Sequence, residues 1–321
     1  MADGVSHISY YSMGTRFEAV IPEMPNDLLT ELSHNVHNEL IRLENIFSRH
    51  IPNSDVHKIN TGAHIAPMKV QPLLYKAMQA CIDYYHTTRG YFDITCAPLL
   101  TLWNIKHGFR MTVFEPSEKN IAEVRNLTGT EIIVLDEKNQ TVFFKTKGTQ
   151  LDFGAFAKGY ALEQIILLFK KFSIERAFVN FGDSSIYGMG KHPYGNAWKV
   201  NIMHAINKTD SIYTFTLVNQ SLSNSGCTIH EDNFNTYGHI INPKTGMPVK
   251  GSLFVSVLGF SCIDTEVLST SLLAADIAER QHILNNFPGY KAVFFDYDVQ
   301  KTVHIIELAS TKKTVEKPDP L

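Results

Sequence analysis

The sequence has few cysteines, and none of them has the spacing of a metal or redox motif. Its four cysteines, Cys81, Cys96, Cys227 and Cys262, contain no C-x-x-C pair, which excludes a zinc ribbon and a thioredoxin-type motif. Four cysteines in 321 residues also do not make a disulfide framework. Each one lies among apolar or small residues, so we expect four reduced cysteines in the core.

The sequence also lacks a long apolar run and a leader. No stretch of about 18 apolar residues occurs, so we expect no transmembrane segment. The first ten residues have neither the basic segment nor the apolar segment of a signal peptide. We therefore expect a cytoplasmic protein. The alternative is a mature exported or membrane-anchored form whose leader has been removed.

A charge excess of one sign is missing as well. The formal net charge is −3 and charged residues make up 19% of the chain. Basic residues occur only as short pairs such as Lys170-Lys171 and Lys312-Lys313, so we expect no nucleic-acid partner. The hydrophobic content of 44% in 321 residues is enough for a sizeable buried core.

Helical and strand patterns alternate irregularly along the chain. Apolar residues at helical spacing predict helices over 25–47, 71–88 and 264–278, an apolar helix that follows the stretch 151–160 and ends at about 172, and a short surface helix over 115–126. Strand patterns occupy 8–21, a hairpin over 131–147, 177–181, much of 198–258, and 290–307. This is not the regular βαβα rhythm of a doubly wound sheet. We expect a single α+β domain over 8–310 with a largely antiparallel sheet core and flanking helices, followed by a polar tail over 311–321.

Two glycine-containing stretches stand out, and the second of them suggests a close approach to a ligand. Met13-Gly-Thr interrupts the first strand, where a glycine usually marks a bulge or a close backbone contact. In the stretch from Asp152 to Gly159, the glycines allow the backbone to approach a bulky or anionic group. The amides of the following helix favour phosphate, and Lys158 adds a positive charge.

Two further stretches contain candidate catalytic or metal-binding side chains. His239 lies next to apolar residues before a turn, where a structural histidine is the simpler interpretation. Glu266 and Thr270 are i and i+4, so they share a helix face where they can hold a hard cation such as Mg²⁺. The alternative is a helix cap in which Asp264 accepts the first-turn amides.

Two common nucleotide-binding motifs are missing. The glycines around Lys158 form neither G-x-G-x-x-G nor a Walker motif. A nicotinamide dehydrogenase is disfavoured, because no strand–G-x-G-x-x-G–helix unit occurs.

The order of these stretches resembles the FAD:protein FMN transferase family, also called ApbE. The chain has M-G-T, F-D-x-T, D-x-G-A-x-A-K-G-Y-A, V-N-x-G, H-I-I-x-P-x-T-G-x-P and an acidic-x-x-x-T helix in that order, from about residue 12 to 300. The resemblance implies a single α+β domain that binds FAD and Mg²⁺. It also implies transfer of FMN from FAD to a Thr or Ser hydroxyl of an acceptor flavoprotein, with release of AMP.

The resemblance also assigns residues by position. A metal pocket falls at the Ala155 carbonyl, Glu266 and Thr270, and the catalytic candidates are His239, Lys158 and Asp152. Contacts with the flavin nucleotide fall at Met13, His50, Tyr91, Phe92, Asp93, Asp152, Lys158, His239, Ile240, Thr245 and Gly246.

Four positions depart from the family pattern. The family has Asp at Glu266, Asp at Asn242, Gly at Asp183, and an aromatic residue at His50. Two alternatives therefore stay open: a metal-dependent FAD pyrophosphatase that uses water as the acceptor, and a non-catalytic flavin-binding protein. The chain has no D-x-x-[ST]-G-[AS]-[ST] run of the kind that the family modifies, so we expect the acceptor to be a separate protein. The sequence predicts no oligomeric state.

Overall fold

The structure, a computed structural model, describes residues 4–106, 109–110, 115–227, 237–298 and 300–312. Its helices are α1 Asn26–Phe47, α2 Asp55–Gly62, α3 Pro72–Thr87, α4 Ala97–Leu102, α5 Glu118–Arg125, α6 Ala157–Lys171, α7 Cys262–Ala274 and α8 Ile277–Leu284. Its strands are β1 Val5–Ser12, β2 Thr15–Pro22, β3 Met68–Lys69, β4 Ile105–Lys106, β5 Phe109–Arg110, β6 Ile133–Asp136, β7 Thr141–Phe144, β8 Ala177–Phe181, β9 Ser185–Met189, β10 Trp198–Met203, β11 Ser211–Leu217, β12 Gln220–Gly226, β13 Tyr237–Asn242, β14 Met247–Lys250, β15 Leu253–Gly259, β16 Lys291–Tyr297 and β17 Val303–Ala309.

An eight-stranded sheet organises the domain, in the order β1-β2-β8-β9-β12-β15-β16-β17. Its neighbouring strands pair antiparallel throughout. Three smaller sheets pair β10 with β11, β13 with β14, and β4 with β5, and a further sheet has the order β3-β7-β6. This architecture confirms the predicted α+β fold with a largely antiparallel core.

Helix α6 packs against both α1 and α7, and α6 and α7 also pack on strands of the main sheet. The largest core cluster joins α1 and α6 to β1, β2, β8 and β9. A second hydrophobic cluster lies between the β10–β11 hairpin and strands β12 and β16. The sheet is therefore covered on both faces, and its strand ends near α6 and α7 bring several of the predicted site residues together.

Helix α1 illustrates how local pattern produces this packing. Its buried residues recur every three or four positions, which gives one apolar face along the helix. That face consists of Leu32, Val36, Leu40, Leu43, Ile46 and Phe47. The predicted helix over 25–47 is thus confirmed with nearly the same limits.

Several local expectations differ from the structure. The strand pattern over 8–21 is a hairpin of two strands, because Met13 (φ 49°) and Gly14 (φ 75°) form a two-residue turn. The polar segment after residue 54, which reads as a loop, forms α2, with the Ser54 hydroxyl accepting from the His57 amide. The predicted helix over 264–278 ends at Ala274, because Ala275 is extended, and α8 follows.

All four cysteines are free and buried, as predicted. Within the described ranges, no helix is both long enough and apolar enough to cross a membrane. Most of the predicted polar tail, residues 313–321, lies outside the described residues. The exact limits of the domain and its tail stay a prediction.

Candidate active site

Two helices cross closely at Gly159, and this crossing positions the charged residues of the site. A Cβ placed on Gly159 would lie 2.5 Å from the Cys262 carbonyl oxygen and 2.9 Å from the Glu266 Cβ. Only a residue without a side chain allows α6 and α7 to come this close. Lys158, the preceding residue on α6, consequently reaches Glu266 on α7.

Lys158 and Glu266 form an ion pair that is largely removed from solvent. Lys158 Nζ lies 2.9 Å from Glu266 Oε1, and the side chains are 20% and 5% exposed respectively. Lys158 Nζ also donates to the Ser184 hydroxyl and lies 3.5 Å from the Ser185 hydroxyl oxygen. The ion pair and these hydrogen bonds together offset the cost of removing the two side chains from water.

The second oxygen of Glu266 is held by serines that sequence reasoning missed. Glu266 Oε2 accepts from Ser185 at 2.5 Å and from Ser223 at 3.1 Å, and Ser223 exchanges a further hydrogen bond with Ser269 at 2.9 Å. The alternation S-L-S-N-S over 221–225 was a signal for this row, because alternate residues of a strand face the same side. These serines fix the direction of the Glu266 carboxylate.

Tight turns bring two of the sequence motifs next to each other. Gly182 has a φ of 66°, and a Cβ there would collide with the Thr15 side chain of the β1–β2 turn. The adjoining Met13 amide donates to Glu44 Oε1 of α1 at 2.8 Å. Asp183, a departure from the family pattern, adopts a φ of 56° and accepts from the Asn180 side chain at 2.7 Å. The next residue, Ser184, contacts Lys158, so this turn takes part in holding the lysine.

Asp152 orders the loop that leads into α6. Its Oδ2 lies 2.5 Å from Arg49 Nε, and its Oδ1 accepts from the Gly154 amide at 2.6 Å. Arg49 is a partner that the sequence did not reveal. His50 follows it and is exposed. The contacts of Asp152 give it a structural role at the start of α6, and a catalytic role for it stays a prediction.

Helix α6 begins without a side-chain cap, because its N-cap residue is Phe156. At this end the Ala157 amide donates to the Phe153 carbonyl at 2.8 Å and the Tyr160 amide to the Phe156 carbonyl at 3.0 Å, whereas the described residues place no capping side chain on the amides between them. Such amides favour an anion, as does the Lys158 ammonium in the same turn. The geometry agrees with the expectation that this segment faces phosphate.

His239 on β13 has an open imidazole nitrogen. Its Nδ1 is buried and has no hydrogen-bond partner among the described residues. Burial lowers the pKa of His239, and the positive charge of Lys158 lowers it further. The imidazole is therefore neutral near pH 7 and can accept a proton or a hydrogen bond. Its neighbour Ile240 packs against the core cluster of α7, α8 and β15.

The turn between β13 and β14 is organised by Asn242. Its Oδ1 accepts from the amides of Lys244 at 2.9 Å and Thr245 at 3.3 Å, while its Nδ2 donates to the Ala274 carbonyl at 3.0 Å. An aspartate could not make the last of these bonds, which links the turn to the end of α7. Gly246 closes the turn with a φ of 72°. Asn242 is thus a structural replacement suited to this turn.

Among the three predicted nucleotide contacts at 91–93, Tyr91 and Phe92 are buried in the core and Asp93 is half-buried. Tyr91 and Phe92 are each 2% exposed and belong to core clusters, and Lys244 Nζ lies 4.4 Å above the Tyr91 ring. Asp93 Oδ1 accepts from the amide and the hydroxyl of Thr95. Burial raises the pKa of Asp93 to about 6, although the Thr95 hydrogen bonds oppose the shift. Their contact with a flavin nucleotide stays a prediction.

A cleft of about 650 Å³ lies beside these residues. Its lining includes Gly90, Asp93, Arg125 and Lys244 but none of Lys158, Glu266 and His239. The predicted nucleotide contacts therefore fall into two groups: those around the Lys158–Glu266 pair, and those around this cleft.

Asp264 does not cap α7, contrary to the alternative considered from the sequence. The N-cap is Ser261, whose hydroxyl accepts from the Asp264 amide at 3.2 Å. The Asp264 carboxylate instead accepts hydrogen bonds from Tyr84 at 2.5 Å and Tyr290 at 2.6 Å. These contacts anchor the start of α7, one turn before Glu266.

The predicted metal ligands are oxygen donors of the kind that Mg²⁺ prefers. Glu266 and Thr270 are one turn apart on α7, and Ala155 lies just before α6, which packs on α7. No group of three or more His, Cys, Asp or Glu residues that could hold a metal occurs in the described part of the chain. The predicted ligand set has only one such residue, Glu266, because its other two donors are a hydroxyl and a backbone carbonyl. All three are oxygen donors, so their chemistry fits Mg²⁺.

Solved flavin transferases share this fold. The chain superposes on the flavin transferase ApbE from Vibrio cholerae with a TM-score of 0.82 at 20% identity, covering 96% of this chain and 98% of that one. It matches the apo form of the flavinyl transferase ApbE from Pseudomonas stutzeri with a TM-score of 0.82 at 22% identity, covering 96% and 95%. This chain therefore has the same fold as these two solved proteins.

Sequence similarity establishes the family. The family model of the ApbE family matches residues 13–294, so the chain belongs to the ApbE family. The chain is 30% identical over 256 residues to the FAD:protein FMN transferase of Chlamydia trachomatis, covering 75% of this chain and 77% of the relative. It is 24% identical to the FAD:protein FMN transferase of Escherichia coli K12, covering 82% and 76%.

Proposed function

We propose that this protein is an FAD:protein FMN transferase that uses Mg²⁺ to move FMN from FAD to a hydroxyl of a separate acceptor protein. The main support is family membership across residues 13–294. The candidate active site contains the Lys158–Glu266 ion pair and the open nitrogen of His239. Relatives that are similar to this chain in sequence are named for this activity.

The proposed reaction is a phosphoryl-group transfer. The oxygen of an acceptor Thr or Ser hydroxyl attacks the phosphorus of the FMN half of FAD. A bond forms between that oxygen and phosphorus, and the bond from phosphorus to the bridging oxygen of the diphosphate breaks. AMP leaves with the bridging oxygen, and the hydroxyl proton passes to a base. Such transfers depend on positioning and charge stabilisation more than on covalent chemistry by the protein.

The Ala155 carbonyl, the Glu266 carboxylate and the Thr270 hydroxyl are the residues that would hold Mg²⁺. When bound, the ion would neutralise charge that develops on the diphosphate. The protein itself supplies a fixed carboxylate, because Ser185 and Ser223 hold Glu266 Oε2. Glu266 replaces the usual aspartate, and its extra methylene is accommodated by these hydrogen bonds.

Lys158 and His239 have complementary tasks in this proposal. The Lys158 ammonium attracts the diphosphate through its positive charge. The backbone N–H groups at the start of α6 attract it as hydrogen-bond donors at the positive end of the helix dipole. His239 is the candidate base, since its lowered pKa keeps the imidazole neutral and able to take the hydroxyl proton. His239 Nδ1 is buried, and no described residue forms a hydrogen bond with it. A substrate hydroxyl would therefore not have to displace a protein group from this nitrogen.

The remaining assigned residues are proposed to shape the nucleotide site. Met13 lies in the turn that packs on Gly182, and Thr245 and Gly246 form the turn held by Asn242. The aromatic stacking position is proposed for His50, which is exposed. A cytoplasmic location for the protein stays a prediction, and a mature exported or membrane-anchored form remains the alternative.

The first test is intact-mass spectrometry of an acceptor flavoprotein domain incubated with this protein, FAD and Mg²⁺. We expect the acceptor to gain the mass of one FMN phosphoryl ester and AMP to appear in equal amount. Chelation of Mg²⁺ should abolish the gain. An acceptor whose target hydroxyl residue is replaced by alanine is the matched control and should gain nothing.

Other outcomes would identify the alternatives. Free FMN that accumulates at the same rate with and without acceptor indicates an FAD pyrophosphatase. Intact FAD across several acceptors indicates a non-catalytic flavin-binding protein. Covalent FMN on this chain alone would contradict the proposal of a separate acceptor.

A pH profile tests His239 as the base. For the unmodified protein we expect transfer to fall on the acidic side with a midpoint below pH 6.5, because burial and then the charge of Lys158 lower the pKa of the histidine that has to be neutral to act as a base. His239→Gln should reduce the rate by roughly 10²-fold or more and remove that acidic limb. If His239→Gln kept the limb, another group would be the base, and His239 would be limited to binding phosphate.

A further inference from the structure

The two oxygens of Glu266 are used very differently. Oε2 accepts from two buried serines, Ser185 and Ser223, which are 2% and 1% exposed. Oε1 has Lys158 Nζ at 2.9 Å. A carboxylate oxygen has about two acceptor positions, so the two serines occupy those of Oε2. A cation that binds Glu266 therefore has to approach at Oε1, where the ammonium already lies.

A divalent cation and an ammonium on the same carboxylate oxygen repel each other strongly in a site shielded from water. One of them has to move, and the structure indicates which one. Glu266 is held by the serines on β9 and β12 and is 5% exposed, whereas Lys158 is 20% exposed and has a flexible four-carbon side chain. Lys158 can leave Oε1 without breaking the serine bonds that fix Glu266.

We propose that Lys158 and the divalent cation compete for Glu266 Oε1, so that metal binding displaces the Lys158 ammonium toward the diphosphate of FAD. This inference rests on the proposed function and assigns Lys158 a positioning role in it. Lys158 holds Glu266 before the metal arrives and afterwards serves the anionic substrate. The Ser184 hydroxyl, which already accepts from Lys158 Nζ, offers a contact that does not involve Glu266.

The exchange couples the two ligands. Metal binding by itself carries the cost of separating the Lys158–Glu266 pair, and FAD lowers that cost by giving the ammonium a new anionic partner. Mg²⁺ and FAD then each strengthen the binding of the other, as thermodynamic linkage requires. In a variant without Lys158, we expect FAD to increase the affinity for Mg²⁺ much less than it does in the unmodified protein.

Calorimetric titration with MgCl₂ tests the competition without using activity. We expect Lys158→Met to bind Mg²⁺ about tenfold more tightly than the unmodified protein when FAD is absent. We expect FAD to increase the Mg²⁺ affinity about tenfold more in the unmodified protein than in Lys158→Met. Lys170→Met, which removes a lysine near the end of the same helix, is the control for general charge and should behave like the unmodified protein.

Amine labelling followed by mass spectrometry tests the displacement itself. Saturating Mg²⁺ without FAD should increase the labelling rate of Lys158 several-fold, while the rates at Lys119 and Lys170 stay constant. Adding FAD with Mg²⁺ should then protect Lys158. Unchanged labelling of Lys158 under conditions where calorimetry detects bound Mg²⁺ would overturn the proposal, as would an unchanged or weaker Mg²⁺ affinity in Lys158→Met.

The outcomes separate this inference from the proposed function. Transfer of FMN to an acceptor with no response of Lys158 to Mg²⁺ would reject the competition and leave the transferase assignment intact. Competition at Lys158 without FMN transfer to any acceptor would reject the transferase assignment and leave the competition intact. If neither the unmodified protein nor Lys158→Met bound Mg²⁺ without FAD, the competition would also be rejected.

Discussion

Glu266→Gln is expected to reduce Mg²⁺-dependent FMN transfer by about 10³-fold, comparable to the loss of a residue that stabilises charge in a transition state. Glutamine has nearly the same shape and can still accept the Ser185 and Ser223 hydrogen bonds through its carbonyl oxygen. It loses the negative charge that attracts Lys158 and would attract the metal. Initial rates of acceptor labelling over a range of Mg²⁺ concentrations provide the measurement.

The choice of substitution at Glu266 matters for stability. Glu266→Ala would remove the whole carboxylate and leave a partly buried ammonium without its charged partner, which is destabilising. Loss of activity in that variant would therefore be ambiguous. Glu266→Asp, which restores the usual family residue, is the informative control and should retain chelator-sensitive transfer. Full activity of Glu266→Gln would place the metal site elsewhere.

Gly159→Ala is expected to impair stability and transfer together. The added Cβ would lie 2.5 Å from the Cys262 carbonyl oxygen, which belongs to the backbone of α7 and can move only if the helix moves. We expect a loss of about 1–3 kcal/mol in the free energy of unfolding, as for other overpacked positions. Because α7 also holds Glu266, we expect FMN transfer to fall by at least about tenfold in the fraction that remains folded.

Denaturant unfolding and acceptor labelling on the same samples measure the two effects. Gly195→Ala is the matched control, because the nearest atom to a Cβ at that position is 3.9 Å away. That variant should keep stability and activity close to those of the unmodified protein. A Gly159→Ala variant with unchanged stability would mean that α6 and α7 have more freedom to separate than their packing indicates.

Local patterns predicted the elements of this fold well where spacing alone decides them. The helix over 25–47 is one example, since its apolar residues recur at helical spacing and bury one face. The hairpin over 131–147 is another, since β6 and β7 pair around the predicted turn. The helix after residue 54 was missed, because its polar sequence resembles a loop and only the Ser54 cap marks its start.

The site was predicted less completely than the fold. The motifs identified Lys158, Glu266 and His239. In the structure Lys158 forms an ion pair with Glu266 and lies close enough to His239 for its charge to lower the histidine pKa. Arg49, the partner of Asp152, and the serines that hold Glu266 were missed. The S-L-S-N-S alternation over 221–225 indicates that these serines share one face of a strand, but only the tertiary structure shows that this face meets Glu266.

The sequence by itself determined the class of this protein: an α+β chain of the ApbE family with its motifs in a recognisable order. Those conclusions depend on residue types and short spacings, which the chain carries locally. The tertiary structure alone decided the partners of the charged groups, such as Ser185 and Glu266, which are 81 positions apart in the chain. Which hydrogen bonds and ion pairs form depends on how the sheet and the helices pack, because these interactions act over a few ångströms in space whatever the separation along the chain.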